Sequence, residues 1–222
     1  MAQIKSNHSK ISNKIPEPSL RRLPWYLSCL KLSLADGAQF ISSTQMSKET
    51  GIDASQIAKD MSYLNISGRT RVGYEVESLI QVLEEFLGFS EQHQAFLFGA
   101  GSLGRALLGD SGLSLFGLTI VGAFDIDPAV IGTQVGGIPV YHYDELEARL
   151  KEHKARIGVL TVPVSEAQTV TNKMIEAGIK AVWNFTPYRI QVPPNIVVQN
   201  TSLYAHLAVM FNRLSANEEG EN

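Results

Sequence analysis

The sequence predicts an α/β fold in which a small helical domain precedes a doubly wound parallel sheet. Three observations carry this prediction. Beyond residue 92, short apolar runs typical of buried strands alternate with helical segments. A glycine-rich turn joins one of these strands to the helix that follows it. Before residue 88 the pattern is mainly helical and includes two short helices close together.

The composition is that of an ordinary globular protein, with 44% hydrophobic and 18% charged residues in 222. No apolar run approaches the ~20 residues of a membrane span, and the N-terminus lacks the apolar core of a signal peptide. The single cysteine, Cys29, excludes an internal disulfide and a cysteine-based metal cluster. Its apolar neighbours indicate a buried thiol. These features predict a cytoplasmic location by default.

Charge is distributed unevenly along the chain. Residues 1–80 carry ten Lys or Arg against seven Asp or Glu, a net charge of +3, whereas residues 81–222 carry nine against fifteen, a net charge of −6. The two parts are therefore expected to meet different partners. A basic excess this small does not by itself indicate nucleic acid.

The N-terminal part opens with polar residues 1–16, which predict a disordered leader. The first helix begins at Pro18 and ends at Asp36-Gly37. Helical spacing places five leucines on its apolar face: Leu20, Leu23, Leu27, Leu30 and Leu34.

Two short helices, 44–50 and 54–63, are predicted around a four-residue turn, and Asp53 is a good N-cap for the second. Residues 65–74 predict a basic β-hairpin wing, so the domain is interpreted as a winged helix whose second short helix enters a DNA major groove. A small helical domain with solvated charges, or a winged helix that binds protein, remains the alternative. The candidate DNA contacts are Ser55, Gln56, Lys59, Arg69 and Arg71.

A strand at 95–98 leads into the glycine turn. Each of its three glycines is expected for a different physical reason. Gly99 permits the sharp turn off the strand, Gly101 lets a pyrophosphate approach the backbone, and Gly104 lets the next helix pack close to the strand. The free N–H groups at the start of that helix favour an anion. The candidate cofactor-binding residues of this turn are Gly99, Ala100, Gly101, Ser102, Leu103 and Gly104.

Asp125 lies 21 residues after Gly104, at the end of the next strand. Its carboxylate there can accept hydrogen bonds from both ribose hydroxyls of an adenosine and repels a 2′-phosphate. NAD(H) is therefore predicted in preference to NADP(H). A Rossmann-like domain that binds another nucleotide, or none, is the alternative.

Further strands at 157–162, 181–185 and 196–198 complete the predicted sheet. Ligands of such sheets lie outside the carboxyl ends of the strands. This places Thr161, Val162, Pro163 and Asn184 on the same rim as the glycine turn.

The final predicted helix, 202–214, carries an apolar stripe of Leu203, Leu207, Met210, Phe211 and Leu214. This stripe packs either on its own domain or on a partner subunit. The acidic tail from Ser215 is predicted to be disordered.

Catalytic residues do not stand out in the sequence. A dehydrogenase needs a proton donor or acceptor beside the nicotinamide, but His142, His206, His93 and His153 are better explained as loop, packing or surface residues. No zinc ligand set or P-loop lysine is present. A cofactor domain without a substrate domain favours a sensor over an enzyme. A small NAD-dependent oxidoreductase, a nucleotide- or CoA-binding protein, and an interaction module with a vestigial pocket are the alternatives.

Several separate motifs extend along almost the whole chain: Arg22-Leu23-Pro24-x-Tyr26, Gln56 to Tyr63, Val72-Gly73-Tyr74, the glycine turn, Phe124 to Pro128, Thr161-Val162-Pro163 and Asn184-Phe185-x-Pro187. Together they resemble the motifs of the Rex family of redox-sensing transcriptional repressors. The resemblance implies a homodimer whose last helix is swapped onto the partner, with Leu203 and Pro163 lining the nicotinamide site. It also implies binding to operator DNA in the apo or NAD⁺ state and release on NADH.

Several positions depart from the family pattern. Ala58 stands where the family has a base-reading arginine, and the wing arginines are shifted. Ser28 and Ser202 replace an arginine and an aspartate that, on this alignment, form an ion pair in the NADH-bound state. The predicted domain boundaries are 1–16 leader, 17–88 winged helix, 89–200 Rossmann-like domain, 201–215 dimer helix and 216–222 tail.

Overall fold

The computed structural model describes residues 15–220, which divide into two compact units after Glu91. The first unit contains four helices and a short two-stranded sheet. Its elements are α1 (Glu17–Ala35), β1 (Phe40–Ile41), α2 (Ser43–Thr50), α3 (Ala54–Tyr63), β2 (Tyr74–Glu75) and α4 (Val76–Leu87).

Helix α1 supplies much of the core of the first unit. Three of its predicted leucines, Leu23, Leu27 and Leu30, are buried, but Leu20 and Leu34 at its two ends are more than a third exposed. The leucine pattern also missed Tyr26, which is fully buried. Most of the predicted leader, residues 1–14, lies outside the described residues. Ile15, which that leader includes, packs into the core of this unit.

The predicted helix-turn-helix is confirmed, and local hydrogen bonds account for its ends. Helix α2 begins with a capping box in which Ser42 and Gln45 bond each other's backbone N–H groups. It ends at Gly51, whose φ of 70° suits a residue without a side chain. The Asp53 carboxylate then caps α3 by accepting from the N–H groups of Ser55 and Gln56.

The predicted wing is a tight turn, with pairing between Arg69 and Gly73 alone. Beyond it the chain pairs elsewhere, because β2 is antiparallel to β1. A side chain at Gly73 would collide with the carbonyl oxygen of Ile41, so glycine is required for this close approach.

The second unit contains a seven-stranded sheet. Its strands are β3 (His93–Phe98), β4 (Leu118–Asp125), β5 (Gln134–Val135), β6 (Ile138–His142), β7 (Ile157–Leu160), β8 (Ala181–Asn184) and β9 (Val197–Asn200). Its α-helices are α5 (Ser102–Leu108), α6 (Gly112–Leu115), α7 (Leu146–Glu152), α8 (Ala167–Ala177) and α9 (Leu203–Gly220). Single 3₁₀ turns, Tyr143–Glu145 and Val164–Glu166, precede α7 and α8.

The sheet has the order β5-β6-β4-β3-β7-β8-β9, and all its strands are parallel except β5 at one edge. Counting the six parallel strands along the chain gives the order 3-2-1-4-5-6, which is that of a doubly wound dinucleotide-binding fold. The predicted parallel sheet is therefore confirmed. Its topological switch point lies between β3 and β7.

The sheet is covered on both faces, as its continuous apolar strands predict. Phe96, Phe98 and Phe124 lie in one core with Val170 and Met174 of α8. A second core contains Ala95, Leu97 and Leu108 of α5. Alternate residues of β3 thus point to opposite faces.

Helix α9 continues to Gly220, past residue 215, where the dimer helix was predicted to end. Its predicted apolar residues, Leu203, Leu207, Met210, Phe211 and Leu214, are each between 40% and 56% exposed. Within residues 15–220, no helix is both long enough and apolar enough to cross a membrane.

Candidate functional site

The glycine turn lies at the switch point, where β3 ends against the end of β7. Gly99 has φ +98°, and a Cβ on it would lie 2.9 Å from the backbone nitrogen of Val162. The Thr161 hydroxyl donates to the carbonyl oxygens of Phe98 (3.0 Å) and Gly99 (2.7 Å). The backbone at Gly99 is therefore left-handed and lies against the end of β7, and both features require a residue without a side chain.

Gly104 and Gly101 are required for different reasons. A Cβ on Gly104 would collide with the carbonyl oxygen of Gly99, so α5 can approach its strand only without a side chain there. A Cβ on Gly101, the N-cap of α5, would meet no described protein atom within 4 Å. Protein packing thus explains Gly104 but not Gly101, and the space beside Gly101 is available to a ligand.

Asp125 ends β4 directly across from the glycine turn. Its Oδ2 accepts from the backbone N–H of Ala100 at 2.6 Å, and its Oδ1 accepts from Ile126 (2.7 Å) and Asp127 (2.9 Å). A carboxylate has about four lone-pair sites. Three are used here, so Oδ2 retains acceptor capacity for a hydroxyl group.

These residues line a cavity of about 670 Å³. Eight of the twelve predicted cofactor residues lie on its wall: Gly99, Ala100, Gly101, Ser102, Asp125, Thr161, Val162 and Pro163. Leu103, Gly104, Asn184 and Leu203 do not line it.

Those four residues have other surroundings. Gly104 is buried between helix and strand, and Leu103 follows the N-terminus of α5. Asn184 is fully buried, donates to the Asn200 side chain (2.9 Å) and the Tyr188 carbonyl (2.8 Å), and accepts from Thr186. It therefore fixes the loop after β8. Leu203 lies exposed at the start of α9.

Several cavity residues were not predicted to bind the cofactor, and most of them lie outside any short motif. Arg105 lies on the wall and donates from Nε to the Ala100 carbonyl oxygen at 3.1 Å. Lys173 of α8 lies 6.0 Å from the ring centre of Tyr143. The remaining missed residues are Ile126, Asp127, Val130, Glu166, Thr169 and Val170.

The Tyr143 hydroxyl is held neutral within this wall. Burial raises its pKa above the ordinary value, and the nearby carboxylates of Asp125 and Glu166 raise it further. Tyr143 therefore offers the cavity an aromatic surface and a hydrogen-bonding group without a negative charge.

In the first unit, the predicted DNA-contacting residues fall on α3 and the wing. Ser55 and Lys59 are exposed, and the Ser55 hydroxyl bonds the Asp53 carboxylate. Gln56 is half-buried, and its Nε2 donates to Oδ1 of Asp60 at 2.8 Å. The first turns of α3 thus present two polar side chains, Ser55 and Gln56, each hydrogen-bonded to a carboxylate. They also present one exposed cation, Lys59.

The wing places its two arginines differently. Arg69 lies in the paired base of the turn, with its guanidinium carbon 5.6 Å from the ring centre of Phe40. Arg71 lies at the exposed tip with φ 65°, an uncommon backbone conformation for a residue with a side chain. The tip of the wing therefore has a tightly turned backbone and presents the positive charge of Arg71 to solvent.

Asp60 of α3 is a fully buried carboxylate. Arg22 donates from Nε (2.7 Å) and Nη2 (2.8 Å), and the Tyr26 hydroxyl donates at 2.7 Å. Burial alone would raise the pKa of Asp60, but the hydrogen bonds from Arg22, Tyr26, Ser19 and Gln56 outweigh it and lower this pKa. The carboxylate is thus ionised and joins α3 to α1.

Each of the two units matches a known protein family. Residues 14–62 match the family described as putative DNA-binding protein N-terminus, and residues 90–188 match the CoA binding domain family. A redox-sensing transcriptional repressor Rex from Bacteroides thetaiotaomicron is 68% identical over 205 residues, which cover 92% of this chain and 93% of the relative. The chain belongs to the Rex family.

Two solved structures of RSP, a Rex-family repressor, share this fold across both units. RSP in complex with β-NAD⁺ and operator DNA has a TM-score of 0.87 at 31% identity, and covers 93% of this chain and 95% of RSP. RSP in complex with β-NADH has a TM-score of 0.84 at 31% identity, with coverage of 94% and 98%. The resemblance to the Rex family found in the sequence is therefore confirmed.

Three of the residues that were expected to depart from the Rex pattern have the following surroundings. Ala58 is exposed on α3 between Gln56 and Lys59. The Ser28 hydroxyl donates to the Pro24 carbonyl oxygen at 3.1 Å, and the Ser202 hydroxyl accepts from the Ala205 N–H at 3.2 Å. Each serine hydroxyl thus bonds the backbone of its own helical segment.

Proposed function

We propose that this Rex-family chain is a transcriptional repressor that binds operator DNA when NADH is low and releases it when NADH binds. The observation that carries the proposal is that one fold, covering more than nine-tenths of the chain, is shared with RSP bound to operator DNA and with RSP bound to NADH. The protein is a regulator rather than an enzyme, and it acts in the cytoplasm.

The cofactor is NAD(H), held by the cavity at the switch point. The pyrophosphate lies against the N–H groups of Gly101 and Ser102, in the open space that a Cβ at Gly101 would occupy. The adenosine ribose donates to Oδ2 of Asp125, whose charge disfavours a 2′-phosphate. Thr161, Val162 and Pro163 continue the site towards the nicotinamide.

Leu203 completes the nicotinamide site from a partner subunit. This proposal is supported by the exposed apolar residues of α9, because a helix that leaves such a stripe uncovered needs a partner surface. The protein is therefore a homodimer in which α9 is swapped onto the partner. Asn184 acts indirectly by fixing the loop after β8, and Leu103 and Gly104 set the backbone of the glycine turn.

The DNA-binding surface consists of Ser55, Gln56 and Lys59 on α3 with Arg69 and Arg71 on the wing. Gln56 reads a base edge in the major groove, and Lys59 contacts guanine or phosphate. The wing arginines bind phosphates or the minor groove. Ala58 cannot supply the base contact that the family resemblance expects from an arginine at its position, so this chain is expected to read the usual Rex operator with altered affinity.

The switch uses the difference between the two cofactor states. NADH has a neutral, non-planar nicotinamide ring, whereas that of NAD⁺ is charged and planar, so an apolar site favours NADH. A ligand shifts a conformational equilibrium only by its differential affinity for the two states. NADH favours the state in which the α3 helices of the two subunits no longer match DNA half-sites about one helical turn, ~34 Å, apart. Ser28 and Ser202 stand where the family resemblance leads one to expect an arginine and an aspartate that form an ion pair in the NADH-bound state, so the switch proposed here works without that pair.

A DNA-binding titration tests the proposal. The protein is titrated against random duplexes at fixed salt, without cofactor, with saturating NAD⁺ and with saturating NADH. Sequence-selective binding that only NADH abolishes is expected. Selective binding that ignores both cofactors would overturn the switch, and no selective binding in any state would overturn the repressor assignment.

CoA serves as the matched competitor, because residues 90–188 match the CoA binding domain family. NADH is expected to bind in a calorimetric titration whether or not CoA is present. Displacement of NADH by CoA at similar concentrations would instead favour a CoA-responsive protein.

A further inference from the structure

Asp60 and Gln56 lie one turn apart on α3, and the structure joins them by a hydrogen bond of 2.8 Å. Asp60 is fully buried, whereas Gln56 is only half-buried and lies in the first turn of the helix. The bond therefore connects a core carboxylate with a side chain that reaches the surface.

The orientation of the Gln56 amide follows from the chemistry of its partner. An ionised carboxylate only accepts hydrogen bonds, so the amide nitrogen, rather than the oxygen, must face Asp60. One N–H of Gln56 is used in this way. The carbonyl oxygen and the second N–H remain, and they form the acceptor–donor pair that the N6 and N7 edge of adenine requires.

Asp60 is itself held rigidly from α1. Two guanidinium nitrogens of Arg22 and the Tyr26 hydroxyl supply three short hydrogen bonds, at 2.7 to 2.8 Å. Such a charge-assisted, two-point contact fixes both the position and the plane of the carboxylate. The acceptor offered to Gln56 therefore has one defined position.

We propose that Asp60 is a positioning residue for base recognition, which holds the Gln56 amide in the orientation that reads adenine in the major groove. The inference deepens the proposed function and rests on it. It assigns an adenine·thymine pair as the feature that Gln56 recognises.

The network does more than neutralise a buried charge. Arg22 and Tyr26 already give donors to both oxygens of Asp60, so its carboxylate is satisfied without Gln56. Gln56, in contrast, depends on Asp60 for the one side-chain hydrogen bond described for it. A free glutamine samples many rotamers, and their loss on binding opposes affinity. The bond to Asp60 orders this side chain before DNA arrives.

A double-mutant cycle on the full-length protein tests the inference. The operator is first selected from random duplexes by the wild type, and the base pair read by Gln56 is identified as the one whose preference Gln56→Ala removes. Binding of wild type, Asp60→Asn, Gln56→Ala and the double variant is then measured on two duplexes that differ only at this pair. Tyr26→Phe, which removes one bond to Asp60, is the milder companion variant if Asp60→Asn does not fold.

The expected result is specific to one base pair. Asp60→Asn is expected to lower the preference for A·T at this pair about tenfold while leaving the salt dependence and NADH affinity unchanged. In the Gln56→Ala background it is expected to change the preference no further. Tyr26→Phe is expected to give a smaller loss of the same preference, again absent without Gln56.

Three outcomes would overturn the inference. The first is an equal loss of affinity for both duplexes in Asp60→Asn or Tyr26→Phe, which is what a merely structural role predicts. The second is a loss of preference that persists in Gln56→Ala, and the third is a wild type that prefers no A·T pair through Gln56. In all three, the wild type still binds selectively and releases on NADH, so the proposed function stands. Absence of any selective binding by the wild type would overturn both.

Discussion

The backbone N–H of Ala100 donates a 2.6 Å hydrogen bond to the carboxylate of Asp125. This bond links the glycine turn after β3 to the end of β4, two segments that are 25 residues apart in the chain. It holds the carboxylate beside the N-terminus of α5, where the positive end of the helix dipole stabilises a negative charge. The acid and the turn are thus one structural unit, and substitution of either alters the shape of the cavity.

Substitution Asp125→Ala is expected to weaken NADH binding between ten- and a hundredfold, because hydrogen bonds to a charged group contribute about 1.5–3 kcal/mol. It is also expected to reduce the preference for NADH over NADPH, because the repulsion of a 2′-phosphate is removed. Isothermal titration calorimetry with both cofactors measures these effects. Asp144→Ala, which removes an exposed carboxylate outside the cavity, is the control. Unchanged affinity in Asp125→Ala would discard the cofactor assignment.

Substitutions of Gly101 and Gly104, the second and third glycines of the turn, distinguish an effect on cofactor binding from an effect on folding. Gly101→Ala is expected to fold with an unchanged melting temperature but to lose NADH affinity, because its Cβ enters the ligand space and meets no described protein atom within 4 Å. Gly104→Ala is expected to lose about 1–3 kcal/mol of stability, because its Cβ meets backbone at Gly99. Thermal unfolding and calorimetry of both variants are the measurements. A Gly101→Ala variant that binds NADH normally would contradict the proposed pyrophosphate position.

Arg22→Met is expected to lower the free energy of unfolding by about 3–5 kcal/mol, because it leaves the buried charge of Asp60 without its main partner. Arg21→Met is the control. Arg21 pairs with Glu17 at 2.7 Å in an exposed position of the same helix, and such pairs contribute about 0.3–0.5 kcal/mol. Urea unfolding followed by Trp25 fluorescence in a Trp183→Phe background reports on the first unit. Equal effects of the two substitutions would contradict the buried ion pair.

Acid is expected to destabilise the first unit. The pKa of Asp60 is lower in the folded protein than its ordinary value of 3.8, so the unfolded chain binds a proton more readily as the pH falls. The stabilisation is fully present above the unfolded pKa and is lost as the pH falls through the folded pKa. Urea unfolding between pH 6 and 2 is expected to show this loss below about pH 4. An Asp60→Asn variant with the same pH dependence would show that other carboxylates are responsible.

Helix α9 provides a test of the dimer. Leu207→Glu is expected to shift the protein towards monomer and to weaken NADH binding, because it puts a charge into the apolar stripe that we propose as the contact with the partner. Asn212→Glu places the same charge on the opposite side of the helix by its spacing and is the control. Analytical ultracentrifugation with and without NADH measures the change. A Leu207→Glu variant that remains a dimer would exclude this stripe as the interface.

The cofactor domain was largely predictable because its signals are local. The left-handed turn at Gly99 and the close approach of Gly104 to the Gly99 carbonyl oxygen act within a few residues, and the period of the apolar pattern distinguishes strand from helix. The walls contributed by Tyr143 and Lys173 were not predictable. They arise because α8 and the turn after β6 lie close together on the same face of the sheet, and no spacing along the chain records that proximity.

In the first unit, too, some features follow from local sequence and others only from tertiary packing. The Asp53 cap, the Gly51 stop and the exposed Lys59 follow from local sequence. Asp60, however, was predicted only as part of the segment Gln56 to Tyr63 and without a role, and Gln56 was interpreted as a free polar side chain on α3. Only the packing of α1 against α3 brings Arg22 and Tyr26 to Asp60, across 38 and 34 positions of the chain.

The sequence by itself determined the fold class, the glycine turn, the acid at the end of β4 and the membership of the Rex family, because each depends on residue types at short, regular spacings. Tertiary structure alone decided which carboxylate is buried, which cavity residues face one another and which polar groups of Gln56 remain available. The physical reason is that burial and hydrogen-bond partners are properties of contacts between distant segments. Their energies are settled only when those segments pack.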